Sequence, residues 1–195
     1  MYPKSRVDAL TDGLFGVAMT ILVLDVRLPD SFEPGHGGLA RALEELWPKF
    51  FPYALSFYVL GSTWLANVKL RSKGEFLGRQ YVSWWLLYLL LATCLPFSTS
   101  VVGRFARLAP AVWLYCLNMA ALAAVGYRLV VLLPDLADDQ HTLDRKVSLS
   151  LVMVTSALCV GVSLISPVRA LWPYLLNLAE PHLARWIATR RSQAT

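Results

Sequence analysis

In a chain of 195 residues, 56% are hydrophobic and only 16% charged, and mean hydropathy is +0.51; soluble domains hold about 45–50% apolar and about 25% charged residues. This balance points to a membrane protein and excludes a large soluble enzyme domain and a disordered chain. Net charge is +5, but the Lys and Arg lie between apolar runs, so they orient the chain in a lipid bilayer and nucleic acid is not an expected partner.

The expected architecture is all-α: one unit over residues 1–195 with six transmembrane helices, at about 7–28, 47–68, 80–103, 108–133, 147–167 and 169–188. The first has an uncharged centre, Gly13 to Leu24, closed by Asp12 and Asp25. These acids and Pro29 argue against a cleaved leader. An ionised group inside a span costs about 3 kcal/mol and needs a partner or water. Asp12 is therefore either structural, pairing with Arg6 or capping the helix, or in contact with a transported ion. Asp25, beside Arg27, would attract cations at a pore mouth or simply be solvated. At about 100° per residue, Leu10, Gly13, Val17, Thr20, Ile21, Leu24 and Leu28 share one face. The stripe is apolar except for Thr20. It is either a packing seam or, if copies of the helix surround an axis, a hydrophobic constriction with one hydroxyl ring that gates by dewetting.

Residues Pro29 to Leu46 read as a Gly/Pro loop leading into a short amphipathic stretch. In the second span Ser56, Ser62, Thr63, Trp64 and Asn67 gather toward the end that precedes Lys69, Arg71 and Lys73. Asn67 would join a polar cluster with Asp12 and Arg6, or the segment is a Trp anchor with a basic flank. Pro96 predicts a kink or unwound turn inside the third span. Ser98, Thr99, Ser100, Tyr115 and Asn118 offer hydrogen bonds between helices. Asp135 to Lys146 reads as an acidic turn, and Pro48, Pro110, Pro134 and Pro167 as helix ends. The sixth span, interrupted by Pro173, Glu180, Pro181 and Arg185, is partly interfacial in character.

With the N-terminus inside, the inner segments carry 11 Lys and Arg and the outer ones six, leaving Arg128 near the end of the fourth span. Both termini are thus expected in the cytoplasm. Cys94, Cys116 and Cys159 read as small buried hydrophobes, and His36, His141 and His182 lack partners at ligand spacing, so no metal site is expected. There is no TVGYG-type filter loop, P-loop, HExxH, GxSxG or voltage-sensor Arg repeat. No enzyme activity and no cofactor are expected.

The first helix, RVDALTDGLFGVAMTILVLDVRLPD (Arg6 to Asp30), resembles the signature helix of the transmembrane protein 175 family, potassium channels of lysosomes and bacteria. The family's motif is Arg, three residues, then Phe-Ser-Asp. Arg6 and Asp12 match, and Leu10-Thr11 replaces Phe-Ser. The similarity continues through YALSFYVLGSTW (Tyr53 to Trp64), LPFSTSVVG (Leu95 to Gly103) and WLYCLN (Trp113 to Asn118). Asn67 and Val68 stand where the family has a histidine pair.

The resemblance implies a homotetramer of six-helix subunits with four first helices around the pore. Val17 would be the narrow constriction, Thr20 the hydroxyl ring linked with potassium preference, and Leu24 a second apolar ring. Ile21 and Leu28 would also face the pore, and Arg6, Thr11, Asp12, Trp64 and Asn67 would form a structural or gating network. A valine constriction, smaller than the family's usual Leu or Ile, would make a closed pore leakier. The implied activity is K+ passage, with other monovalent cations to a lesser degree, across the plasma membrane. The alternatives are a proton-permeable leak and a non-conducting membrane scaffold.

Overall fold

The computed structural model describes residues 2–28, 38–69, 76–133 and 140–179. Its long helices are α1 (Lys4–Leu22), α3 (Trp47–Lys69), α4 (Arg79–Arg104), α5 (Ala109–Val131) and α6 (Gln140–Ser163), with the short α2 (Gly38–Glu44) before α3. Strand β1 (Tyr2–Pro3) pairs antiparallel with β2 (Phe76–Leu77), which ties the start of α1 to the start of α4. Two 3-10 segments, Pro167–Arg169 and Trp172–Ala179, follow α6.

Four described helical segments are long and apolar enough to cross a membrane: Lys4–Asp25, Arg79–Arg104, Ala109–Val131 and His141–Ser163. The 23-residue α3 is long enough, but its Pro, Tyr, Trp, Ser, Thr and Asn residues lower its hydropathy. It is held in the bundle by packing on α1 and α4 instead. The short turn after Arg104 makes α4 and α5 adjacent antiparallel partners, and α6 packs on α5. Gly126 lets α5 approach closely, because a Cβ there would lie 3.3 Å from both Tyr88 of α4 and Leu149 of α6. The core runs through Phe15, Leu60, Tyr88, Leu95, Val112, Tyr115, Met119 and Tyr174.

Several expected boundaries shift. The first helix stops at Leu22, a 3-10 turn covers Val23–Asp25, and Leu28 lies beyond it. Leu28 therefore does not share the face of α1 on which helical spacing put it. Helix α6 starts at Gln140, so much of the expected acidic turn is helical; charge-free runs mark the lipid-crossing part of a helix, and polar residues without Pro or Gly extend it. It ends at Ser163, before Ser166, whose extended backbone (φ −149°, ψ 95°) suits a residue preceding proline. The described part of the expected sixth span is 3-10 rather than α-helical, interrupted by a turn at Ala170 and Leu171, and its remainder lies outside the described residues. Residues 29–37 and 134–139, with His36 and Pro134, also lie outside them.

Helix α4 continues through Pro96 without the unwound turn expected there. Neighbouring groups take up the backbone disruption. Ser98 and Thr99 donate to the Leu95 carbonyl at 3.0 and 2.7 Å. The Asn118 amide, oriented to satisfy both its ends, meets the Leu91 carbonyl and the Leu95 N–H at 3.2 Å each. Because each hydroxyl has one proton, the buried chain runs one way: Tyr115 donates to Ser56 (2.9 Å), Ser56 to Thr99 (2.8 Å) and Thr99 to Leu95. Cys116 and Cys159 are buried as expected, but Cys94 is exposed on α4.

Candidate ion pathway

Helix α1 has two distinct faces. Val7, Thr11, Phe15, Ala18 and Leu22 are buried against α3 and α4 at helical spacing. Turned about a right angle from them, Leu10, Val17 and Ile21 are 48, 53 and 45% exposed, and Leu24 in the following 3-10 turn is 69% exposed. Thr20 is also exposed, and its hydroxyl donates to the Val17 carbonyl at 2.8 Å. That bond uses the only hydroxyl proton and leaves oxygen lone pairs free, the electronic requirement for meeting a cation. Gly13, on the same face, has open space where a Cβ would stand. Among the described residues the apolar stripe is therefore left about half uncovered.

The N-terminal half of α1 is joined to its neighbours by polar contacts. Trp64 of α3 donates its indole N–H to Asp12 Oδ1 at 2.8 Å. Trp85 of α4 donates to Thr11 Oγ1 at 2.9 Å, while Thr11 donates back to the Val7 carbonyl at 2.8 Å. Asn67 donates to Tyr88 Oη at 3.2 Å, and Arg145 of α6 reaches the same oxygen at 3.3 Å. Each neutral bond contributes about 0.5–1.5 kcal/mol, and the bond to the carboxylate more. Together they form a collar across α1, α3, α4 and α6. Beside it an open crevice of about 380 Å³ is lined by Lys4, Asp8, Thr11, Asp12, Asn67 and Val68.

Of the residues expected in this network, Thr11, Asp12, Trp64 and Asn67 come together around the start of α1. Arg6 is exposed and makes no ion pair with Asp12. The first-turn cation that does find an acid is Lys4, 3.3 Å from Asp8. Trp85, Tyr88 and Arg145 were not foreseen. Their spacing in sequence carries no sign that three helices converge, although a Trp or Tyr inside an apolar run signals a donor that must find a partner. At the other end of α1, Asp25 is not simply solvated: it pairs with Arg104 of α4, whose Nε lies 3.0 Å away. Among the described residues no group of His, Cys, Asp and Glu is placed to hold a metal, and His141 is exposed; His182 lies outside them.

The chain is a multi-pass helical bundle whose first helix turns an apolar stripe outward and is fastened by a polar collar. Residues 6–96 match the model of the family described as endosomal/lysosomal potassium channel TMEM175, a family of channels and not of enzymes. A protein from Streptomyces collinus named as a potassium channel is 33% identical over 107 residues, 55% of this chain and 51% of that one. Another so named, from Chamaesiphon minutus, is 30% identical over 129 residues, 64% of this chain and 63% of its own length. A chicken protein named as an endosomal/lysosomal proton channel is 37% identical over 70 residues, 33% of this chain and 14% of that one. The chain thus spans about half the length of the first of these relatives and under two thirds of the second. A crystal structure described as a lysosomal potassium-selective channel TMEM175 homolog from Chamaesiphon minutus has the same fold, with a TM-score of 0.78 at 22% identity over 92% of this chain and 97% of that one.

Proposed function

We propose that this protein is a cation channel that passes K+ down its gradient through a pore lined by α1 from four copies of the chain. The observation that carries this reading is the outward stripe of Val17, Thr20, Ile21 and Leu24 on a helix otherwise fastened to its neighbours. Arranged about an axis, Val17 and Leu24 form apolar rings where water films are unstable, and Thr20 forms a ring of hydroxyl oxygens between them. Leu28, beyond the helix, stands at the mouth at most. The collar of Thr11, Asp12, Trp64 and Asn67 holds the angle of α1 and so sets the width at Val17. Arg6, unpaired within the described residues of the protomer, is free to meet a neighbouring subunit or lipid headgroups. In this reading the channel works in the plasma membrane with both termini in the cytoplasm. No cofactor or turnover chemistry is involved.

A second reading, proton permeation, is favoured by the similarity to relatives named as proton channels. Flux from proteoliposomes under K+, Na+ and H+ gradients separates the two. K+ flux that Val17→Trp reduces at least tenfold and that Thr20→Val makes less selective over Na+ supports the channel as drawn. Proton flux alone selects the second reading. Assembly lost in Val17→Trp, with no flux in the wild type, would make the stripe the seam of a non-conducting scaffold.

A further inference from the structure

The polar group least accounted for is Arg145. It is 5% exposed, yet its Nε is buried without a hydrogen-bond partner, and Nη2 reaches only the neutral Tyr88 hydroxyl. No carboxylate among the described residues pairs with it. A guanidinium keeps its charge at any physiological pH, and an uncompensated buried charge costs several kcal/mol. Beside it lies a cavity of about 20 Å³ whose polar lining includes Arg145, Thr63, Ser148, Tyr88 and Asn177; the rest of the wall is mostly apolar and holds no acidic residue. Thr63 and Ser148 are 6 and 9% exposed, and their hydroxyls bond to no described residue. Asn177 gives one amide N–H to Thr155 Oγ1 at 3.2 Å and leaves its Oδ1 without a partner.

A cavity needs about 10–15 Å³ to hold one water, so this one admits a single particle of that size or slightly larger. Hydroxyls can rotate to donate, and together with a guanidinium in an acid-free wall they offer positive charge and protons. Water would meet the hydroxyls and the Asn177 oxygen but leave the charge uncompensated; an anion neutralises it. We propose that the cavity between α3, α5 and α6 binds one monatomic anion of the chloride class, held by Arg145, Thr63 and Ser148. By neutralising Arg145 the anion steadies Tyr88, on which Asn67 and hence the collar rest.

Crystals grown in sodium bromide test the site directly, and thermal unfolding in detergent with chloride against gluconate at equal ionic strength tests it in solution. The expected results are an anomalous bromide peak beside Arg145 and a chloride-dependent rise in Tm of about 2–4 °C. The rise should vanish in Arg145→Gln and shrink in Thr63→Val, whose near-isosteric side chain keeps the fold testable if the arginine variant fails to assemble. No peak, equal Tm in the two salts, or an undiminished chloride effect in both variants would overturn the proposal. These readouts do not depend on ion conduction, so they stand or fall apart from the channel reading.

Discussion

Asp12 shows how little a residue's type says about its role until its partner is known. A carboxylate near the end of a span requires compensation, and Arg6 is the nearest cation one turn and more before it; the structure supplies a Trp64 indole N–H instead. Replacing Trp64 by Phe keeps the ring and removes the donor. The expected outcome is a loss of about 1–2 kcal/mol, read as a lower Tm in detergent, with the assembled mass unchanged. The Asp25 pair behaves differently, since the Arg104 side chain is 49% exposed and water screens it. Even so, Arg104→Ala leaves Asp25, only 19% exposed, without its guanidinium, and should cost more than Arg104→Lys, which keeps the charge, measured in the same way. The two acids flank the same apolar segment, but one is tied to an indole of α3 and the other to a guanidinium of α4.

Among the elements, α5 is the most completely enclosed of the candidate spans, and its small residues set its distance from α4 and α6. Gly126 is the tightest point, with Tyr88 and Leu149 at 3.3 Å from a Cβ position. Gly126→Ala should cost about 1 kcal/mol as those side chains shift, and Gly126→Leu should cost about 3 kcal/mol or prevent folding, read from Tm and yield. At α4 the sequence predicts a kink or unwound turn at Pro96, yet the helix is continuous there, with the Asn118 amide bridging the Leu91 carbonyl and the Leu95 N–H beside the proline. Asn118 itself was visible in the sequence; its use at that turn of α4 needed α5 to be placed against it.

For the whole molecule, the channel proposed above requires several copies of the chain around the α1 stripe. The expected particle is a tetramer, four times the 21.7 kDa chain mass once bound detergent is subtracted, and a discrete dimer would remove the four-fold axis. The membrane-spanning, mostly helical character of the chain follows from the sequence alone, because a lipid-crossing helix must bury its backbone hydrogen bonds and carry an apolar run about 20 residues long. So does the spacing that puts Val17 and Thr20 on one face of α1, since helical periodicity is local, whereas Leu24 falls in the 3-10 turn beyond Leu22. Tertiary structure alone decided which face of α1 is buried, that Trp64 rather than Arg6 meets Asp12, that Asp25 meets Arg104, and that Arg145 lies in the bundle beside Tyr88. These facts depend on how helices distant in sequence are rotated and docked, and spacing along one helix carries no information about the rotation of the next.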